Sequence, residues 1–294
     1  MYTSDGSPDR VWFVTGAGRG LGRAFADAAL SVGDRVAIAS RTAGPLEEMA
    51  AAHPGRVLPL ALDVTDRDAV FAAVAEAVGH FGRLDIVLNN AGALSMGMVE
   101  EFTEAEARAQ MEVNFFGALW VAQAVMPTLR AQGSGHVVQT SSIAALGGFP
   151  ATGLYSASKF ALEGMSEALA REAAGFGVKV SILQPGGYWT GLYTAMHGTS
   201  PLDAYAPLRA ELEEQFAEGS VDSDPELAAE ALLHLVDSDD PPLRLLLGGT
   251  AYDLAFDIAR KRVFTWAAWE HVSRAAEHGV PAPGTTAGAR VPAG

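Results

Sequence analysis

Short runs of apolar, often β-branched residues alternate with longer alanine-rich segments of helical period along most of this chain. In a parallel sheet, a helix must carry the chain back across the sheet before the next strand can begin. The alternation therefore predicts an α/β protein, a doubly wound parallel sheet of about seven strands with helices on both faces. The predicted strands are Val11–Thr15, Arg35–Ser40, Val57–Leu62, Leu84–Leu88, His136–Thr140, Val178–Leu183 and Leu243–Leu247.

Two segments depart from the alternation. Residues 187–223 are rich in Gly, Tyr and Trp and then turn acidic, and they are longer than a sheet connection requires, so they form either an insertion or, as we expect, a substrate lid. After Glu277 the chain is rich in Pro and Gly with almost no large apolar side chain, which predicts a flexible tail over 276–294. We expect a single domain over residues 10–275 and a flexible N-terminus over 1–9.

Composition narrows the function classes. The 294 residues carry a formal charge of −15, which disfavours nucleic acid and anionic membranes as partners. The chain has no cysteine, which excludes disulfides and thiolate metal sites, and its histidines do not form a His-Glu-x-x-His motif, so we expect no catalytic metal. The N-terminus is polar, and the apolar stretches are too short to cross a bilayer. Both features favour a cytoplasmic protein.

The turn after the first predicted strand is rich in glycine and leads into an alanine-rich helix. Glycines let the backbone approach a pyrophosphate, and the free N–H groups at a helix N-terminus bind its charge. The alternative is a tight strand–helix connection, but the strand–turn–helix context favours a dinucleotide site. The expected cofactor contacts in this turn are Gly16, Gly18, Arg19, Gly20, Leu21 and Gly22.

The end of the second predicted strand indicates which dinucleotide is preferred. Proteins that prefer NAD usually carry an acidic residue about 20 residues past the glycines, whereas this chain has Ser40 and Arg41 there. The guanidinium of Arg41 can bind the 2′-phosphate of NADP(H) through two hydrogen bonds, and Arg19 adds a second positive group. The sequence therefore predicts NADP(H) rather than NAD(H), unless both arginines are only solvated surface residues.

Tyr155 and Lys159 are four residues apart in a predicted helix, which places them on one helix face. A nearby ammonium favours the phenolate and so lowers the pKa of a tyrosine from its reference value of about 10. Such a pair can exchange a proton with a carbonyl or an alcohol. Taken alone, however, the two residues are ordinary helix-surface residues.

The order of motifs resembles the short-chain dehydrogenase/reductase family from the first strand to about Gly249. The resemblance implies a Rossmann-type fold and hydride transfer between a nicotinamide cofactor and a carbonyl or secondary alcohol. The motifs that carry it are the Thr15–Gly22 loop, Asp63-Val64, Asn89-Asn90-Ala91-Gly92, Asn114, Ser142, Tyr155 with Lys159, and Pro185-Gly186 followed by Thr190.

The same resemblance implies roles for individual residues. Tyr155 would be the general acid of carbonyl reduction and the base of alcohol oxidation, Ser142 would hydrogen-bond the substrate oxygen, and Lys159 would hold the nicotinamide ribose. Asn114 would hold a water that relays protons to Lys159. As alternatives, Ser142 is a turn residue and Asn114 a satisfied polar group in a helix. The other cofactor contacts it implies are Asp63, Val64, Asn90, Ala91, Gly92, Pro185, Gly186, Tyr188 and Thr190.

The chain departs from the family pattern at two places. Tyr188 and Trp189 stand where a small β-branched residue is common, and we expect these aromatic side chains to shape the substrate site. Gln139 stands in the strand before Ser142 where a smaller side chain is expected.

Apolar and aromatic residues surround the expected catalytic positions, which favours a bulky hydrophobic ketone or secondary alcohol as substrate. Packing of the lid is the alternative explanation. The substrate candidates are Leu94, Met96, Met98, Ala144, Leu146, Phe149, Tyr188, Trp189, Leu192, Tyr193 and Met196.

Three other functions are weighed against a ketone reductase. A 3-oxoacyl-thioester reductase would meet an acidic carrier protein, which a chain of charge −15 disfavours. A regulator without redox chemistry would have lost Ser142, Tyr155 or Lys159, and all three are present. The complete residue set also argues against a dehydratase or epimerase.

The helices around 103–129 and 155–173 pair between subunits in the family, so we expect a homodimer or homotetramer.

Overall fold

The computed structural model describes residues 9–192, 195–217 and 222–277, apart from the side chains of 215–217. Its strands agree with the predicted ones to within a few residues at each end, and two further two-residue strands, β5 and β8, were not predicted. The strands are β1 (Val11–Thr15), β2 (Arg35–Ser40), β3 (Val57–Ala61), β4 (Ile86–Asn89), β5 (Ser95–Met96), β6 (Gly135–Thr140), β7 (Val178–Pro185), β8 (His197–Gly198) and β9 (Arg244–Leu247).

Seven of these strands form one parallel sheet in the order β3-β2-β1-β4-β6-β7-β9, and β5 pairs with β8 separately. The chain moves outward from β1 to β3 and then returns to place β4 on the other side of β1. Ligands of doubly wound sheets bind at this reversal, beyond the carboxyl ends of the strands. The predicted α/β fold is thus confirmed.

Helices connect the strands and cover both faces of the sheet. A π-helical turn, Glu112–Phe116, joins α4 to α5. The helices are α1 (Gly20–Ser31), α2 (Gly44–Ala52), α3 (Arg67–Phe81), α4 (Glu104–Met111), α5 (Gly117–Gln132), α6 (Gly153–Ala174), α7 (Ala206–Ala217), α8 (Pro225–Val236), α9 (Gly249–Ala268) and α10 (Glu270–Ala275).

The hydrophobic core has two parts, one on each face of the sheet. Successive side chains of β1 alternate between them: Trp12 and Val14 pack with α1 and α8, whereas Val11 and Phe13 pack with α3 and α5. All four are fully buried. A central strand that is buried on both faces is apolar at every position, which is why the period-two pattern of an exposed sheet is missing from this segment.

The chain divides by its contacts into two units, residues 1–254 and 255–294. The predicted domain, residues 10–275, extends past this division. The described part of the second unit exposes large aromatic side chains, including Phe264, Trp266 and Trp269.

Residues 1–8 and 278–294, where flexible termini were expected, lie outside the described residues. None of the described helices combines the length and the apolar character that crossing a bilayer requires.

Gly22 provides a stability test of the glycine turn. A Cβ added there would lie 2.3 Å from the carbonyl oxygen of Gly16 and 2.4 Å from Nδ2 of Asn90. We expect Gly22→Ala to lower the free energy of unfolding by roughly 1–3 kcal/mol, because the loop backbone must move, even though alanine favours helix more than glycine does.

The matched control is Gly79→Ala in α3, where an added Cβ meets nothing within 4 Å. That variant should gain roughly 0.5–1 kcal/mol. Urea denaturation of the three proteins makes the comparison. A Gly22→Ala protein as stable as the wild type would contradict the close approach at this turn.

Candidate active site

The end of β4 is hydrogen-bonded to the glycine turn after β1. Oγ1 of Thr15 accepts hydrogen bonds from the backbone N–H groups of Asn90 and Ala91, each at 3.0 Å. Nδ2 of Asn90 donates to the carbonyl oxygen of Thr15 at 3.1 Å and to that of Gly16 at 3.4 Å. Asn90 therefore holds the shape of the turn.

The N-terminus of α1 has the features of an anion site. Arg19 at the N-cap makes no side-chain capping hydrogen bond, and the first turn contains no acidic residue. Asp66, Thr103 and Asp224, in contrast, cap α3, α4 and α8 through their side chains. Uncapped N–H groups beside closely packed glycines fit a dinucleotide phosphate.

The residues expected at the 2′ position of a bound cofactor lie at the end of β2. A Cβ added at Gly18 would lie 3.0 Å from Oγ of Ser40, so the two residues are adjacent. Arg41 is exposed. The pKa of Asp63 is below its ordinary value, chiefly because the backbone N–H of Thr65 donates to its carboxylate, and the charge of Arg41 adds to the effect.

The segment after β7 lies beside the glycine turn. Thr190 lies beside Gly20, where an added Cβ would be 3.0 Å from Cβ of Thr190. Arg19 lies beside Gly191, where the corresponding distance to Nη1 is 3.3 Å. The expected contacts of the glycine turn and of the segment 185–190 are thus brought together.

Tyr155 and Lys159 lie on consecutive turns of α6. Nζ of Lys159 is 5.7 Å from the centroid of the Tyr155 ring and donates to the carbonyl oxygen of Thr140 at 2.8 Å. Lys159 is only 4% exposed. Burial lowers the pKa of Lys159 to about 8, and the charge of Glu163 opposes that effect.

Ser142 follows β6 and caps a short turn over Ile143–Ala145. Its Oγ accepts a hydrogen bond from the backbone N–H of Ala144 at 3.1 Å. The hydroxyl proton can therefore still donate to an oxygen in the site. Ser142 can therefore cap this turn and also donate a hydrogen bond to the substrate oxygen.

Asn114 is buried in the π-helical turn and bridges two elements. Its Oδ1 accepts from the N–H of Ala93 at 2.8 Å, and its Nδ2 donates to the carbonyl oxygen of Ala93 at 3.0 Å and to Oγ of Ser158 at 2.9 Å. Gly92 lies between Asn114 and Lys159, since a Cβ added there would be 3.5 Å from Oδ1 of the one and 3.7 Å from Nζ of the other. Asn114 thereby ties the segment after β4 to α6.

Four expected cofactor contacts are largely buried. Val64 is 8% exposed and packs against Gly117, and Pro185 ends β7 inside the sheet. Leu21 packs against the core, and the N–H of Gly186 donates to the carbonyl oxygen of Leu247 at 3.1 Å.

Tyr188 and Trp189 point to different surroundings. Tyr188 is 6% exposed within the core that packs with α1 and α8, and burial raises its pKa. Its ring therefore packs in the core beside α1 and α8, and its role in the substrate site stays a prediction. The Trp189 residue is 74% exposed, and its backbone N–H donates to the carbonyl oxygen of Ser223 at 3.0 Å.

The other substrate candidates differ in exposure. Leu94, Met98 and Ala144 are buried, Met196 is exposed, and Tyr193 lies outside the described residues. The partly buried candidates are Met96, Leu146, Phe149 and Leu192.

Glu101 holds the segment after β8 and was not predicted from the sequence. Its carboxylate accepts from the N–H groups of Met98 and Leu202, from Oγ1 of Thr199, and from Arg209. The pKa of Glu101 falls to about 2, mainly because of the Arg209 guanidinium. No local pattern joins residues so far apart in the chain, so the sequence offers no signal for this contact.

Gln139 is fully buried, and neither polar atom of its amide has a hydrogen-bond partner among the described residues. The structure gives no reason for this departure from the family pattern.

Within the described ranges, no three His, Asp or Glu side chains are grouped so that they could hold a metal ion.

Sequence comparison identifies related proteins. The profile of the short chain dehydrogenase family matches residues 10–199. Oxidoreductase BOA17 of Botryotinia fuckeliana is 37% identical over 272 residues, which cover 90% of this chain and 98% of that protein. A 3-ketodihydrosphingosine reductase of Bacteroides thetaiotaomicron is 40% identical over 182 residues, which cover 62% of this chain and 65% of that protein.

Solved structures of similar fold include a short-chain dehydrogenase from Streptomyces avermitilis, with a TM-score of 0.86 and 38% identity, covering 93% of this chain and all of that one. A Burkholderia phymatum enzyme in complex with NAD has a TM-score of 0.74 and 25% identity, covering 87% of this chain and 93% of that one. A Burkholderia cenocepacia enzyme in complex with NADP has a TM-score of 0.70 and 28% identity, covering 88% and 96%.

Proposed function

This chain belongs to the short chain dehydrogenase family of oxidoreductases, and on that premise we propose that it reduces a bulky hydrophobic ketone to a secondary alcohol with NADPH. The observation that carries the proposal is the buried Lys159 side chain, whose Nζ lies 5.7 Å from the centroid of the Tyr155 ring and beside Gly92. A buried ammonium beside a phenol suits proton transfer to a carbonyl oxygen.

In this proposal the cofactor binds across the carboxyl ends of the strands. The turn from Gly16 to Gly22 would hold the pyrophosphate, Ser40 and Arg41 the 2′-phosphate, and Asp63 the adenine. Gly92 and Lys159 would hold the nicotinamide ribose, and the backbone of Gly186 to Thr190 the carboxamide. When bound, the cofactor donates or accepts the hydride.

The protein residues provide the proton and stabilise the developing charge. In reduction, the Ser142 hydroxyl donates a hydrogen bond to the substrate oxygen, and the Tyr155 phenol gives that oxygen its proton. The Lys159 ammonium stabilises the phenolate that remains. Asn114 ties the segment after β4 to α6. We propose that a water held at Asn114 passes a proton to Lys159 while Lys159 passes one on to the phenolate, which restores the Tyr155 phenol and the Lys159 ammonium.

The preference for NADP(H) is proposed from charge. The described end of β2 presents the Ser40 hydroxyl and the exposed Arg41, and the sequence has no acidic residue at that place. A carboxylate there would accept hydrogen bonds from a ribose 2′-hydroxyl, whereas a guanidinium attracts a 2′-phosphate. The solved structures of similar fold include one in complex with NAD and one in complex with NADP, so the proposed preference rests on Arg41.

A hydrophobic substrate is proposed from the apolar character of the segments after β4, β6 and β7. Leu94, Met96, Ala144, Phe149 and Leu192 are its lining residues in this proposal. One relative is named as a reductase of a ketone, 3-ketodihydrosphingosine, which supports a carbonyl substrate.

We also propose a cytoplasmic homodimer or homotetramer that pairs through α4, α5 and α6. An open cleft of about 370 Å³ lies along the outer side of α4, which fits a helix-to-helix interface. The cleft is lined by Glu104, Ala107, Arg108, Met111, Glu112 and Phe116.

Replacing Tyr155 with phenylalanine tests the reaction. We expect the wild type to oxidise one NADPH for each alcohol formed in a screen of aryl, steroidal and terpenoid ketones. Tyr155→Phe should lose roughly 10²–10⁴-fold in kcat, because the proton donor is gone. NADPH binding, followed by its fluorescence, should remain and serves as the control for folding. Equal turnover by the variant would remove Tyr155 from the mechanism.

Replacing Arg41 with alanine tests the cofactor preference. We expect KM for NADPH to rise roughly 10-fold or more, since a hydrogen bond to a charged group contributes about 1.5–3 kcal/mol, whereas KM for NADH should hardly change. The control is Arg23→Ala on α1, whose guanidinium pairs with Asp27 at 2.8 Å. A wild type that prefers NADH, or an equal effect of both substitutions, would refute the preference.

A further inference from the structure

Glu163 is a buried carboxylate to which the proposed reaction gives no role. It lies on α6 one turn after Lys159 and is 5% exposed. A carboxylate is costly to bury unless it is paired and hydrogen-bonded, so its partners explain why it is there.

Three donors converge on Glu163: one directly after β6, one near the end of β7 and one at the start of β9. Its Oε1 accepts from Oγ of Ser141 at 2.7 Å and from Nε2 of Gln184 at 2.8 Å. Its Oε2 accepts from Nε of Arg244 at 2.9 Å. Ser141 immediately precedes Ser142, and Gln184 immediately precedes Pro185.

We propose that Glu163 is a positioning residue, whose carboxylate joins the helix carrying Tyr155 and Lys159 to the strand ends carrying Ser142 and the turn at Pro185. The inference rests on the proposed function, because those residues are catalytic and cofactor-binding ones only in that reaction. Glu163 acts through its neighbours and does not itself contact substrate.

The charge of this residue matters as well as its shape. An ionised carboxylate only accepts hydrogen bonds, so it can receive all three donors, whereas an amide would turn an N–H group towards at least one of them. The charge also favours the ammonium form of Lys159, which burial disfavours. The other charged or titratable side chains described around this pair are Tyr155, Glu167 and Arg244.

Glu167 supplies a matched control on the same helix. Its Oε1 accepts from Nη1 of Arg244 at 2.9 Å, but its side chain is 47% exposed. Glu167 shares Arg244 with Glu163, but Ser141 and Gln184 donate to Glu163 and not to Glu167. Because Glu167 remains, Glu163→Gln does not leave Arg244 without a carboxylate partner.

The experiment measures the titration of Lys159 in the protein without cofactor, together with kcat. The chain has three lysines, Lys159, Lys179 and Lys261, so protein labelled with [13C]lysine gives three Cε signals, which Lys→Arg variants assign. In Glu163→Gln, we expect the Lys159 midpoint to fall by about one pH unit, since a carboxylate that favoured the ammonium is lost. We also expect kcat to fall about 10-fold or more with little change in KM. Glu167→Gln should match the wild type in both.

A folded Glu163→Gln protein with the wild-type Lys159 titration would overturn the proposal, even if kcat fell, because that result indicates a merely structural role. Equal effects of Glu167→Gln would also overturn it. If Glu163→Gln does not fold, Ser141→Ala replaces it: lower kcat at unchanged KM supports the proposal and unchanged kcat overturns it. The titration needs no turnover, so a wild type inactive on every ketone would refute the proposed function without deciding the Lys159 result.

Discussion

The common direction of the seven strands is the constraint on which the site depends. Because all of them run parallel, their carboxyl ends meet at one edge of the sheet, and segments far apart in the sequence become neighbours there. Four residues reach this edge: Thr15 at the end of β1, Asn90 after β4, Ser142 after β6 and Pro185 at the end of β7. The hydrogen bonds between Thr15 and Asn90 then fix the two central segments against each other.

The placement of Lys159 is a compromise between burial and charge. Burial excludes water and strengthens its interaction with Tyr155, but it also disfavours the ammonium and brings the pKa to about 8. The carbonyl oxygen of Thr140 and the charge of Glu163 offset part of that cost. A lysine on an exposed helix face would keep its charge easily and have less influence on the neighbouring phenol.

Much of the fold follows from local sequence patterns. Apolar runs and glycine turns recur at short range, so β1 and β2 were predicted with their observed bounds, and the glycine turn was placed at the start of α1. The proposed catalytic residues come from the order of motifs. Features that depend on distant contacts were not predictable: the pairing of β5 with β8, the bonds from Glu101 to the segment after β8, and the burial of Tyr188, which fills core space beside α1 and α8. The role of Gln139 stays without an explanation at either level.

The most direct test of the account is the pH dependence of kcat/KM for ketone reduction in the wild type and in Lys159→Met. kcat/KM reports on ionisations of the free enzyme, so the wild-type value should fall above about pH 8 as Lys159 loses its proton. In Lys159→Met, the rate should be low, and that fall should be absent. A variant that keeps the wild-type rate and the same fall would contradict the claim that this buried ammonium drives proton transfer.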